Sequence, residues 1–540
     1  IRETHAGTIA VCLNANVDTI QLSGAVASYD FLVQGNQVLI YSGTALIATL
    51  GVQTDSNGTS MGFSDGTASL LLTGLSAATL GGQAVGTTAT RFDTSVFSQT
   101  TNPNTDASAL LTQAQALSAS NTSTTSLKTL ADAEVTGVLI GSEAKWGQTS
   151  LTYSFPTSVP TDYTGDPDYT TNWTALNSTE QTAVRSVFAL LDDFLPLTFT
   201  EVGGDAGDIR FSLVDMGAGT AGFAVTPGSN SPFGDGVLGD VFLSNAIRAS
   251  GNYQPKGDNY HTIMHEIGHA LGLKHTFESP LAPTGTDNFD YSLMSYTQAR
   301  NMGISFSESG GNLSYTADRL AMPQGYALYD IAGLQTLYGA NQSSTSGSNS
   351  YSLSSRDYDY LTIWDAAGTD TIDVSNAIGT SIVNLNPGSH SSIDLWTLEQ
   401  QIAQTQAEYP GYSAAWIANA YTSYSSNLYT GENNLAIAYG VVIENLNTGA
   451  GDDQITDNPY DNQISTAAGN DQITLGQGGF DSIDGGSGTD SILLPNHSQA
   501  QIQYAQQSDG SYLLLGPDFA AQLIGIEQLS LQDASLSLVA

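Results

Sequence analysis

The chain has 540 residues with 52 acidic against 12 basic side chains, a net charge of -40, although only 12% of its residues are charged. That length points to about three or four domains, and a field this negative excludes phosphate backbones and anionic lipid surfaces as partners while favouring cations. No run of about 18 apolar residues supplies a membrane span, and the single cysteine, Cys12, leaves neither an intramolecular disulfide nor a cysteine zinc site.

Residues 1–85 alternate apolar and polar side chains between Gly, Asn and Asp turns, which predicts the hairpins of a β-sandwich-like domain without a catalytic cluster. Cys12, in Thr-Ile-Ala-Val-Cys-Leu, reads as a small buried hydrophobe. The Ile1 start shows no basic stretch followed by an apolar one, as a secretory leader would. Residues 86–135 shift to Ser, Thr, Asn and Ala and read as a linker or processing segment, with a short helix capped by Asp106. Residues 136–345 alternate strands, near 150–155, 197–200, 209–212 and 239–244, with helices over about 178–194, 259–271 and 324–337. This is a mixed α/β unit, so the whole chain is multidomain α+β. Beyond 345 helical periodicity nearly disappears, apart from a helix at about 395–406.

In its place a nine-residue rhythm appears, with Ile455, Ile464, Ile473, Ile483 and Ile492 spaced by nine apart from one interval of ten. Two residues before each isoleucine stands Asp453, Asn462, Asp471, Asp481 or Asp490, and the turns carry Gly449, Gly451, Gly469, Gly476, Gly485 and Gly488. The pattern matches a calcium-binding parallel β-roll over residues 346–495, followed by a C-terminal β cap, 496–540, with a possible secretion signal. Glycines allow the turns, Asp carboxylates and turn carbonyls offer hard oxygen ligands, and each isoleucine enters a core that needs stacked neighbours. Asn458-Pro459-Tyr460, where glycines belong, predicts one incomplete ion site. The acids divide into 39 Asp and 13 Glu, the bias such turns require. A salt-adapted surface, the alternative, would spread both acids over helices.

Three of seven histidines lie in His265-Glu266-Ile-Gly-His269-Ala-Leu-Gly272-Leu-Lys-His275. On a helix His265 and His269 share one face and one metal; Gly272 permits a left-handed turn that returns His275 as a third nitrogen ligand. Glu266 is placed to reach a water in the open position rather than the metal. His261, one turn earlier, reads as a helix-start or supporting residue, because a catalytic zinc keeps a position open. The extended motif, followed by Tyr291-Ser-Leu-Met294-Ser-Tyr296, is the metzincin signature.

From about residue 136 onward the chain resembles the serralysin family, the secreted bacterial metzincins with a calcium-binding β-roll. Besides the zinc motif, the matching stretches are Leu151-Thr-Tyr-Ser-Phe-Pro156, Leu197-Thr-Phe-Thr-Glu-Val202, Tyr329-Asp-Ile-Ala-Gly-Leu-Gln-Thr-Leu-Tyr-Gly-Ala-Asn341 and Ile363-Trp-Asp-Ala-Ala-Gly-Thr-Asp-Thr-Ile-Asp373. The resemblance implies that His265, His269 and His275 bind one zinc and that Glu266 is the catalytic base. It makes Tyr296 an additional ligand that swings away to contact the tetrahedral intermediate, and Met294 a floor beneath the metal. Asp365, Gly368, Asp370 and Glu444 would hold calcium where the protease joins the roll. Val241, Phe242 and Leu243 are expected to form the edge strand that pairs an extended substrate. Thr276 and Ala367 depart from the family's proline and glycine, and residues 1–135 have no counterpart in its short propeptide.

The implied function is a calcium-stabilised zinc endopeptidase acting on extracellular proteins or peptides, monomeric, neither inserted in a membrane nor bound to nucleic acid. Type I secretion would export the roll unfolded from a low-calcium cytoplasm. Two alternatives use the same sequence differently: an S-layer-like surface protein with a vestigial or self-processing protease, or a binding protein whose first domain recognises a cell-surface polymer. Cleavage within 86–135 on activation is a further expectation.

Overall fold

In the computed structural model the described residues are 11–13, 19–22, 25–34, 37–51, 59–63, 66–74, 77–80, 83–85, 87–92, 107–118, 133–141, 144–163, 167–228, 235–249, 251–297 and 300–538. Contacts divide the chain into two units, residues 118–491 and residues 1–117 with 492–540. Within the second unit, the alternating N-terminal sequence forms two five-stranded sheets. Val26, Phe31 and Ile40 share a core with Met61, Leu70 and Leu80, so side chains of both sheets fill one interior. This domain does not stop at residue 85. Thr90–Arg91 pairs with Asp30–Phe31, Arg91 forms a two-pronged ion pair with Asp30, and Phe92 packs edge-on to Phe31 at 5.6 Å. Of the rest of the expected linker the described residues are 87–89, the helix 107–118 and 133–135; Asp106 and the side chain of Cys12 lie outside them.

In the unit 118–491, Ser150–Ser154 lies between Thr198–Val202 and Ile209–Val214, and Val241–Ser244 follows, all parallel. Every residue of Ile209–Val214 is buried, as expected of a strand in a covered parallel sheet. The helix Ser178–Phe194 starts at a capping box: Asn177 accepts the amides of Thr179 and Glu180, and Glu180 accepts that of Asn177 at 2.7 Å. Helices Asp258–Ala270 and Leu328–Tyr338 complete the layer.

Val241, Phe242 and Leu243 do not form the edge of this sheet. Gly222–Ala224 pairs antiparallel to them and takes the rim, with Phe223 opposite Phe242. Three residues inside a glycine-rich loop carry too little periodicity to read as a strand, which is why the sequence assigned the rim one strand inward.

The hairpin Met302–Ser309 with Asn312–Arg319 was not foreseen either. Its Ile304 and Phe306 share a cluster with Ile417 and Tyr421 of the helix Ala414–Thr422 and with Leu398 and Ile402 of the helix Leu398–Glu408. After these helices the nine-residue rhythm becomes short parallel strands that alternate between two sheets. Asn445–Asn447, Gln463–Ser465 and Phe480–Asp484 stack in one, and Ile382–Asn384, Gln454–Thr456 and Gln472–Thr474 in the other. Ile455, Ile464, Ile473 and Ile483 are all buried. Among the described residues no helix is long and apolar enough to cross a membrane.

Candidate active site and cation sites

The helix Asp258–Ala270 ends where the ligand motif needs it to. Gly272 adopts φ 108°. A Cβ there would strike the carbonyl oxygen of Ala144 and approach Leu337 to 3.0 Å, so the return of the chain requires glycine. His275 Nε2 then lies 3.2 Å from Nε2 of both His265 and His269. The other ring nitrogen of each imidazole faces an acceptor. His265 Nδ1 is 2.8 Å from the Leu293 carbonyl, His269 Nδ1 2.9 Å from that of Leu273, and His275 Nδ1 2.8 Å from the Glu278 carboxylate. These oxygens only accept, so the hydrogen sits on Nδ1 and every Nε2 turns a lone pair inward. Three lone pairs at this separation repel unless a cation lies among them. Burial holds His265 well below its usual pKa and His269 down at about 4, which keeps both neutral and able to ligate. Neutral imidazoles with committed Nδ1 hydrogens are the donor set that zinc(II) takes. His261 stays outside this group, 4.6 Å from the ring of Phe289.

Glu266 is buried, and burial pushes its carboxyl up to about 8. Its Oε2 has no hydrogen-bond partner among the described residues. Such an oxygen is costly unless a proton or cation is near, so it fits a site built for a cation and a water. A cleft of about 420 Å³ opens over Glu266, the three histidines, Tyr296 and Gly222. Gly222 is the position that sequence reasoning missed: a Cβ there would stand 2.9 Å from both Cγ and Oε1 of Glu266. Gly222→Ala is therefore expected to displace the carboxylate and lower kcat about 100-fold, the order of loss that follows a displacement of about 1 Å. Zinc content should not change; kinetics on a fluorogenic peptide beside metal analysis would read both.

Met294 is fully buried beneath the helix, its sulfur 3.0 Å from where a Cβ of Gly268 would lie. The turn that carries it hangs on buried Asp330, which accepts from Ser292 Oγ at 2.6 Å and from the amides of Leu293 and Ala327 at 2.8 and 3.1 Å. Because Leu293, 37 residues before Asp330, also provides the acceptor for His265, Asp330 positions that imidazole through the Leu293 backbone. Asp330 belongs to a matched stretch of sequence, but nothing local marks its partner. Tyr296 is 66% exposed, with its hydroxyl 2.9 Å from His275 Nε2.

The turn carboxylates follow one arrangement. Asp453 Oδ1 accepts the amide of Ser381, Asp471 that of Asp453, Asp481 that of Asn462 and Asp490 that of Asp471. In Asp453, Asp471 and Asp481 the second oxygen is buried without a hydrogen-bond partner among the described residues. Gly449, Gly451, Gly469 and Gly488 lie against the carbonyl oxygens of Ala377, Gly379, Gly451 and Gly469, where no Cβ fits. The Gly485 carbonyl accepts from Thr466 Oγ1. Gly476 gives its amide to Asp457, a buried carboxylate the nonapeptide pattern did not single out, whose Oδ1 also lacks a partner among the described residues. The structure also brings together Asp365, Gly368, Asp370 and Glu444. Asn349 bridges Asp365 and Asp370, a Cβ on Gly368 would stand 2.7 Å from Asp370 Oδ1, and Glu444 accepts the amide of Asp370 at 2.7 Å. Orphaned, buried carboxylate oxygens beside turn carbonyls are a donor set that suits calcium.

Comparison with known proteins agrees with this chemistry. Residues 145–284 match the family model described as matrixin, of the peptidase M10 type. Metallopeptidase AprA of Pseudomonas marginalis is 32% identical over 273 residues, which cover 46% of this chain and 54% of that protein. Serralysin B of Dickeya chrysanthemi is 30% identical over 45% of this chain and 52% of its own, and a serralysin of Proteus mirabilis 26% identical over 42% and 50%. The chain thus spans about half the length of the curated relatives it matches. The converging imidazoles, the buried glutamate beside them and these similarities lead to one assignment: residues 145–284 form a metalloprotease domain of the matrixin, peptidase M10 type, similar to that of the serralysins.

Proposed function

We propose that the chain is a secreted, calcium-stabilised zinc endopeptidase that hydrolyses peptide bonds in extracellular proteins. The observation that carries this reading is the convergence of three Nε2 lone pairs next to the unpartnered oxygen of Glu266. His265, His269 and His275 would hold the zinc, which, when bound, supplies Lewis acidity toward a carbonyl and makes water acidic enough to react near neutral pH.

The rest belongs to the protein. An extended substrate lies antiparallel along Gly222–Ala224, where main-chain hydrogen bonds align it. Held ionised by the cation that would lie beside it, Glu266 takes a proton from the attacking water and passes it to the leaving amine nitrogen. Tyr296, exposed and not enclosed by its neighbours, turns its hydroxyl toward the oxyanion as that charge develops. Asp330 and Met294 keep the ligands in register from below.

The repeats of 346–491 read as a calcium-filled β-roll, with Asp453, Asp471, Asp481, Asp490 and the Asp365–Glu444 cluster as ion sites. The intact ligand set and the open cleft weigh against a vestigial protease in a surface protein. Hydrolysis of a casein or peptide substrate is expected to vanish with a zinc chelator and to return when zinc is restored to one ion per chain. Full turnover by chain shown to be zinc-free would overturn the proposal.

A further inference from the structure

The loop that carries the third ligand is built around a buried lysine. Lys274 Nζ donates to the carbonyl oxygens of Gly137 at 2.7 Å, His275 at 3.1 Å, Glu278 at 2.8 Å and Pro280 at 2.7 Å. An ammonium has three hydrogens, so four acceptors at this range enclose it. Three of the four belong to residues 275–280, so the ammonium closes that loop on itself; the fourth ties it to the chain at Gly137. The segment there is fixed further by the Lys274 amide, which donates to the Val138 carbonyl at 2.8 Å.

Held in this loop, Glu278 sets its carboxylate 2.8 Å from His275 Nδ1, while His265 and His269 use neutral backbone carbonyls for the same purpose. His275 is also the one ligand that the helix does not carry. Phe277 stacks on its ring at 4.8 Å, nearly parallel at 8°, and covers one face. On the side away from the cleft, its orientation is set by what Nδ1 meets. With Glu278 half exposed, the pair would add little as an ordinary surface ion pair. Its value lies elsewhere, because a negatively charged acceptor on Nδ1–H fixes the tautomer and makes Nε2 a stronger donor.

We infer that Glu278 is a positioning residue for the metal site, which orients His275 and strengthens its bond to zinc. The inference rests on the zinc reading of the three histidines. Its test uses the full chain and the variants Glu278→Gln and Glu278→Ala, with zinc affinity measured by competition with a chromophoric chelator. The absorption spectrum of the cobalt(II)-substituted protein is recorded alongside, with kcat and KM at saturating zinc.

Glu278→Ala is expected to weaken zinc binding about 10- to 100-fold and to shift the cobalt bands, with KM unchanged. Glu278→Gln should fall between, since its amide oxygen still accepts the Nδ1 hydrogen but without charge. Zinc affinities within twofold of the unmodified chain for both variants, with identical cobalt spectra, would overturn the inference and leave the zinc reading intact. An unmodified chain that binds no zinc would instead overturn the reading on which it rests.

Discussion

Glu266→Gln is expected to leave zinc bound and to lower kcat for peptide hydrolysis by about 10²- to 10⁴-fold, the contribution of a positioned general base. The side chain makes no hydrogen bond to any of the three histidines, whose Nδ1 atoms are held by Leu293, Leu273 and Glu278, so the ligand geometry does not depend on its charge. The substitution preserves size in a buried position while removing the buried carboxylate of the cleft that is placed to take a proton from water. It also puts a buried amide where no partner meets Oε2, at a stability cost of about 1–3 kcal/mol. Zinc stoichiometry and thermal midpoint must therefore be measured beside the kinetics. A variant that carries one zinc and keeps more than a tenth of the normal turnover would show that the base lies elsewhere.

The second large effect concerns calcium. Withdrawal of calcium at neutral pH is expected to lower the thermal midpoint of the repeats by roughly 8–16 °C for each site that was filled a thousandfold above its dissociation constant. That figure takes about 4 kcal/mol per site and about 2–4 °C per kcal/mol for a domain of this size. The physical cause lies in the turns, where Asp453 and Asp481 place carboxylates out of water with one oxygen unpartnered.

In the ion-free fold, burial raises Asp453 to about 6 and Asp481 well above its usual value. Raised folded pKa values mean that the folded state binds protons more tightly than the unfolded chain. Their contribution is complete below about pH 4 and is lost as pH rises through about 6. Calcium-free protein should thus melt higher at pH 4 than at pH 8, and calcium should reverse that order. Circular dichroism melts at the two pH values, with and without calcium, would read it. An ion-free midpoint that rises between pH 4 and pH 8 would contradict the assignment of these carboxylates.

The loss should reach the protease. His390 Nε2 lies 2.9 Å from the Asp290 carbonyl and its ring packs on Tyr291 at 4.4 Å, three residues before Met294. His390 begins the strand His390–Ser391, and Ser392 bridges Ile382 of the repeat sheet, so loosening that sheet removes support from the floor of the metal site.

Much of the candidate metal site is legible in the sequence alone. The relation of His265 to His269 is set by one helical turn, and that of both to His275 by a single left-handed glycine, so eleven residues of sequence contain nearly all the geometry. The repeats were legible for a similar reason, since a nine-residue period places each isoleucine inward and each aspartate in a turn whatever lies far away. The N-terminal sheets were readable as alternation, although their end was not. Thr90 and Arg91 pair with a strand about 60 residues earlier, and no feature of a two-residue strand announces that.

Tertiary structure alone decided the rest. Gly222–Ala224 becomes the rim of the cleft only because Val241–Ser244 lies beside it, and Gly222 bears on Glu266 only because the sheet and the helix pack face to face. Asp330, Glu278 and Lys274 acquire roles through acceptors and donors that sequence spacing does not encode, among them a carbonyl at Gly137 that lies 137 residues before the lysine it holds. The hairpin Met302–Arg319 likewise finds its core in helices about a hundred residues later. Local periodicity fixes which face a residue occupies, whereas the identity of what that face meets depends on chain segments brought together by folding. In this protein the sequence by itself marked out the three histidines, the glutamate beside them and the repeat, and the fold decided which strand rims the cleft and which side chains hold the imidazoles in place.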